Sequence, residues 1–138
     1  MNRKQYIQPE DTFASDRFGF TQVVTSPPGK LVFVSGQVAL NRDLDLVGDG
    51  DVGAQAEQAL ANLGSSLRAA GATPEDVAML RSYIVDYRVE YGALLAPHFE
   101  RFFQGRPPAS TRIGVQALAA PGLLIEIEAI AVVNDGNE

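Results

Sequence analysis

The chain has no cysteine, which removes disulfides, thiolate nucleophiles and cysteine-held metals together. It has one histidine, His98, and with no cysteine and no second histidine a zinc site of His and Cys ligands cannot be assembled around it. His98 lies between Pro97 and Phe99 and reads as a surface or packing residue. No apolar run approaches the ~20 residues needed to span a bilayer, and the start MNRKQYIQPED lacks the apolar middle of a signal peptide. The expectation is a cytoplasmic protein with no membrane partner. Dense runs of lysine and arginine are also missing. Eleven basic residues face 17 acidic ones, a formal charge of −6, and such a chain repels a phosphate backbone. Nucleic acid is therefore not an expected partner. The Gly and Asp cluster from Asp43 to Asp51 lacks the ordered ligands and closing glutamate of a calcium loop. There is no phosphate-binding glycine motif, internal repeat or low-complexity segment.

What is present fits one domain. The 138 residues are 46% hydrophobic and 20% charged, ordinary for a globular protein with a real core. Residues 1–16 are polar and irregular and read as a flexible arm, leaving 17–138 as the domain. A first strand is expected from Phe18 to Val24, followed by a turn at Ser26 to Lys30 (SPPGK). Leu31 to Ser35 is apolar on both faces, as in a strand covered on both sides. Ser35-Gly36-Gln37 interrupts it in the manner of a bulge. Asn41 to Asp51 reads as a surface loop with room for a short strand. Val52 to Ala70 carries an apolar stripe (Val52, Ala56, Ala59, Leu60, Leu63, Leu67) at helical spacing, with Asp49 or Asp51 to cap it and Gly71 to stop it. A strand from Val77 to Tyr87 and a helix from Val89 to Gln104 follow. Gly105 ends that helix, and Pro107-Pro108 prevents its continuation.

The last stretch reads as two strands joined by a loop at Ala119 to Gly122. By alternation Leu123, Ile125, Ile127, Ala129, Ala131 and Val133 share a dry face. Glu126 and Glu128 sit side by side on the other, among Leu124, Ile130 and Val132. In the preceding strand Ser110, Arg112, Gly114 and Gln116 share a face. The order of elements gives an α+β two-layer domain, a mixed sheet with two helices on one face. The other sheet face mixes charge with hydrocarbon, and subunits of a closed cyclic oligomer would cover it most economically.

Four segments carry a family resemblance: VFVSGQVAL (Val32 to Leu40), QAEQALANLGSSLRAAGATPEDV (Gln55 to Val77), PPASTRIGVQAL (Pro107 to Leu118) and IEIEAIAV (Ile125 to Val132). In order and spacing the chain resembles the RidA family, also called YjgF/YER057c/UK114. The resemblance implies a chorismate-mutase-like fold and a homotrimer with clefts between subunits. For the founding subgroup it implies hydrolysis of reactive 2-imino or enamine acids to 2-keto acids and ammonia, with no cofactor and no metal. The family's pocket serine matches Ser35, and its glutamate in the final strand matches Glu126. The arginine that clamps the substrate carboxylate falls on Ser110, so it is missing. The aromatic position of the first strand, a tyrosine in the deaminases, falls on Phe20, and an asparagine of the second helix falls on Ala96.

A guanidinium holds a carboxylate by two parallel charge-assisted hydrogen bonds, and a serine hydroxyl cannot. Ordinary 2-imino acid deamination is therefore expected to be weak or absent. Arg112, two residues on and on the same strand face, offers a displaced anchor. Alternatively, it pairs with Glu126 or Glu128 on the neighbouring strand. Glu126 is the candidate acid or base for water, and Glu128 reads as structural. Ser35 either meets a ligand or satisfies the bulge locally. Phe20 is either core or cleft wall. The ligand expected is a small metabolite with a carbonyl or imine group. It is either hydrolysed with Glu126 assisting water or bound without turnover by a sensor or accessory protein. A ribonuclease is disfavoured by the acidic charge and the lone histidine.

Overall fold

A computed structural model describes residues 3–134. The remaining residues of the expected arm and domain, 1–2 and 135–138, lie outside the described residues. Eight elements follow in order: β1 (Gln5–Ile7), β2 (Val23–Thr25), β3 (Lys30–Gln37), α1 (Val52–Ala69), β4 (Val77–Val85), α2 (Tyr91–Phe103), β5 (Ala109–Val115) and β6 (Ile125–Val133). The main sheet has the order β3-β6-β4-β5; β6 runs antiparallel to both neighbours and β4 runs parallel to β5. Both helices lie on one face, giving the expected α+β two-layer arrangement.

The core is the seam between that face and the helices. Val32, Leu80, Ile84, Ile125, Ile127, Ala129 and Ala131 meet Leu60, Leu63 and Leu67 of α1 and Leu95 and Phe103 of α2, all buried. The period of 2 in the strands and 3.6 in the helices sends these residues to the same layer. Local chemistry sets the ends. Asp51 Oδ1 accepts from Ala54 N at 3.0 Å and caps α1, while Gly71, at φ +77°, takes the left-handed turn that stops it. Left-handed Asp86 ends β4 after Val85, two residues earlier than the sequence suggests. Left-handed Gln104 closes α2.

Four expectations need correction. The arm is not irregular throughout: β1 pairs antiparallel with β2, and Lys4 Nζ donates to the carbonyls of Glu75 and Val77. The strand expected over Phe18 to Val24 shrinks to β2, because Ser15–Phe18 winds into a 3-10 turn closed by Gly19 at φ +81°. Within one chain the strand expected to be covered on both sides is covered on one, since Leu31 is 57% and Phe33 71% exposed. Finally, β5 and β6 are not neighbours. The nine residues between Val115 and Ile125 carry the chain across β4, which pairs with both strands.

One core contact escapes the apolar pattern. Gln55 is fully buried. Its Nε2 donates to Gly48 O at 3.1 Å and Gly122 O at 2.9 Å, and its Oε1 accepts from Leu124 N at 2.8 Å. One side chain thus fastens the loop before α1 and the loop before β6 to the helix. Truncation leaves Gly122 O and Leu124 N without partners, while Gly48 O keeps its bond from Asp51 N, and each orphan costs ~1–3 kcal/mol. Gln55→Ala is expected to lower unfolding stability by about 3 kcal/mol, seen in urea titration as a lower midpoint at unchanged slope. A midpoint within error of wild type would contradict this.

Candidate functional site

The site residues fall into two groups on opposite faces of the sheet. The first is built by the bulge in β3. Val34 pairs with Ala129 but Gln37 with Ile127, so β3 fits one extra residue between those pairs. Ser35 and Gly36 occupy it, as the sequence suggests, and Ser35 is exposed. The Glu126 carboxylate lies directly over Gly36: a Cβ there would fall 2.6 Å from Glu126 Cδ. Only glycine leaves room for it.

Glu126 and Glu128 share this open face and are both half-buried, but their surroundings differ. Glu128 receives Arg81 Nη1 at 3.1 Å and the Tyr83 hydroxyl at 3.1 Å. Desolvation, then the hydrogen bond to Glu128, pushes the Tyr83 hydroxyl above its ordinary pKa, so it stays a donor at neutral pH. Among the described residues Glu126 has no hydrogen-bond or ion-pair partner. The structural part thus belongs to Glu128, and its partners Arg81 and Tyr83 escaped the sequence reading. They stand out only once the register is known, because Arg81 lies opposite Glu128 and Tyr83 opposite Glu126.

The second group lies along β5. Thr21 N and Oγ1 donate to Pro108 O (3.1 Å) and Pro107 O (2.6 Å), and Thr21 bridges to Ala109. These bonds hold the adjacent half-buried Phe20 at the start of β5, with its ring edge-to-face on Phe13 at 6.3 Å between centroids. In register, Ser110 lies beside Leu80 and Arg112 beside Ser82. Leu80 and Ser82 are buried on the helix face, so Ser110 and Arg112 are on that face too. Arg112 Nε donates to Ser82 Oγ at 3.2 Å, and its Cζ stands 5.0 Å from the centre of the Phe99 ring on α2.

The expected common surface of Ser110, Arg112, Glu126 and Glu128 therefore does not exist within one chain. Thr111 and Ile113 occupy the Glu face of β5 instead, because they pair with Arg81 and Tyr83. The pairing of Arg112 with Glu126 or Glu128 is likewise overturned: Glu128 is taken by Arg81, and Arg112 turns toward α2. Its two Nη groups make no hydrogen bond or ion pair among the described residues.

Other features carry less chemistry. A groove of about 390 Å³ under the β5–β6 loop is lined by Val85 and residues 116–124 and holds no titratable side chain. His98 is half-buried against Gly53, apart from both groups. No cluster of three or more His, Asp or Glu able to hold a metal occurs among the described residues, and no described helix is long and apolar enough to cross a membrane.

Fold and site define a class: a two-layer α+β domain that carries a carboxylate over a glycine bulge on one sheet face and a tethered guanidinium on the other. The chain belongs to the Rid (YjgF/YER057c/UK114) family, whose model, described as endoribonuclease L-PSP, matches residues 14–133. It is 46% identical to the Rid-family protein YyfB of Yersinia pestis, covering 96% of this chain and 100% of that one at a TM-score of 0.90. It is 36% identical over 103 residues to the 2-iminobutanoate/2-iminopropanoate deaminase of Rattus norvegicus, 75% of this chain and 73% of the relative. It is also 35% identical over 113 residues to protein DfrA of Myxococcus xanthus, 82% of this chain and 84% of the relative.

Proposed function

We propose that the chain assembles as a homotrimer whose clefts are each completed by two copies, and that it hydrolyses the C=N bond of a small anionic metabolite there. One copy supplies Ser35, Gly36 and Glu126, and its neighbour supplies Phe20, Ser110 and Arg112. The observation that carries this reading is the division of the two groups between opposite faces of one sheet. A continuous sheet keeps them apart in a single chain, whereas a rotation axis brings one copy's open face against the next copy's edge. Arg112 with two unpaired Nη groups is a binder for an anion, and Glu126 with no protein partner is a base for water. As the water oxygen bonds to the iminium carbon, Glu126 takes the proton and returns it to nitrogen. As the C–N bond breaks, the hydroxyl oxygen forms the keto C=O and passes its proton back to Glu126, and ammonia leaves with the keto product. The relatedness to an enzyme named for 2-imino acid deamination supports this chemistry. Serine at position 110 supports a weak rate on the shortest imino acids.

Mixing two defective chains tests this reading. Glu126→Gln and Arg112→Ala are each expected to lose nearly all turnover of a panel of freshly generated 2-imino acids. Co-expressed in equal amounts they assemble at random, and about a quarter of the clefts then receive Glu126 from one chain and Arg112 from the other. Recovery of about a quarter of wild-type turnover is expected. No recovery, or no turnover by the wild type, overturns the reading.

A further inference from the structure

We infer that the cleft selects an acid whose anionic group lies several bonds from its reacting carbon, because Ser82 and Phe99 fix Arg112 away from position 110. The inference rests on the two-copy cleft proposed above and goes on to the class of ligand it takes. Ser82 breaks a buried apolar row: Val77, Leu80 and Ile84 share its face, and it is 1% exposed. A buried hydroxyl requires a partner, and this one accepts from Arg112 Nε. That bond uses the one donor on the flank of the guanidinium and leaves the four N–H groups of the two Nη atoms for a ligand. Phe99 adds a ring face beneath the cation, an attraction that strengthens as water is excluded. Held at two points, the fork is directed across β5 toward β4 and α2, not back along the strand.

The consequence is a distance. Residues two apart on one strand face are about 6.5 Å apart at the backbone, and with the guanidinium turned from Ser110 toward Ser82 and Phe99 the anion it binds sits at least about that far from Ser110. On the two-copy reading the reacting carbon lies against Phe20 and Ser110 at the start of β5. A 2-oxo or 2-imino acid of three or four carbons, with its carboxylate bonded to the reacting carbon, cannot reach both places. An acid with a second carboxylate at the far end of its side chain can. The favoured class is therefore 2-imino and 2-oxo dicarboxylic acids, with the distal carboxylate on Arg112.

Calorimetric titration of the full-length protein with pyruvate, 2-oxobutanoate, 2-oxoglutarate and 2-oxoadipate tests this. One of the two dicarboxylates is expected to bind at least about tenfold more tightly than pyruvate. Ser82→Ala and Phe99→Leu are expected to bring that ratio to within about threefold of unity, while pyruvate affinity changes less than about twofold. Ser82→Thr, which restores the hydroxyl, is expected to keep the ratio. Arg112→Lys, a point charge without a fork, is expected to lower it, and circular dichroism confirms that each variant is folded. Equal binding across the series, or a ratio unchanged in Ser82→Ala, overturns the inference and leaves the two-copy cleft standing. No binding of any of the four acids overturns both.

Discussion

Phe33→Asp is expected to convert the proposed trimer into folded monomers. Phe33 stands 71% exposed on the open face of β3, beside Leu31 at 57%. Their cross-strand partners are Ile130 and Val132 of β6, and Ile113 of β5 adds a further exposed apolar group. The apolar surface these residues form on the adjacent strands β3 and β6, with Ile113 set apart beyond β4, is of the kind a second copy would cover on the proposed assembly. Burying a phenylalanine contributes about 1.5–3 kcal/mol, and an unpaired carboxylate placed there costs more than the ring contributed. The sum is more than about 3 kcal/mol per interface, at least on the order of a hundredfold in dissociation constant. Sedimentation at micromolar concentration reads the outcome directly. The helix-side core does not include Phe33, so the variant keeps its helical spectrum while its mass falls to that of one chain. A variant that stays assembled, or a wild type that sediments as a monomer, contradicts the proposed cleft at its root. Loss of turnover is expected to accompany loss of assembly, since neither face alone holds both Glu126 and Arg112.

The same face shows what a sequence can and cannot convey. Ser35-Gly36 read as a bulge because a glycine breaks an apolar alternation locally, and the structure has the bulge there. The reach of α1, its Asp51 cap and its Gly71 stop are similarly local. Pairing is not. Whether β5 lies against β6 or against β4 depends on a crossover through α2 and on which pairing buries more apolar surface, and no alternation pattern encodes that choice. The single error of setting β5 beside β6 put Ser110 and Arg112 on the wrong face and hid Arg81, Tyr83, Ser82 and Phe99. Gln55 was missed for a related reason: a polar side chain among helical residues looks solvent-facing until the two loops it fastens are known. The family resemblance supplied Ser35, Glu126 and the missing arginine at Ser110. The division of these residues between two faces came from the register alone.

Ser110→Arg is expected to raise kcat/KM for 2-iminopropanoate on the order of 100-fold. The reasoning runs through transition-state binding: a bidentate guanidinium–carboxylate contact in a closed cleft contributes several kcal/mol, and each 1.4 kcal/mol is about tenfold in rate. Ser110 is half-buried, precedes Arg112 by two residues on the same face and pairs with Leu80. A new arginine there emerges about 6.5 Å from the existing one. The two cations repel, but Arg112 is held by Ser82 and Phe99 and so turned aside; the cost falls well short of the gain. Ser110→Lys is the control, since an ammonium lacks the planar fork and is expected to recover only a small part of the rate. The gain should appear for acids with the carboxylate next to the reacting carbon and shrink for those whose anion lies farther away. Saturation kinetics on freshly generated imines, with semicarbazide trapping the residue, separate these outcomes. A variant that folds, assembles and gains nothing would show that position 110 does not face the substrate carboxylate. In that event the neighbouring copy's Glu126 would have no reacting carbon to act upon beside β5.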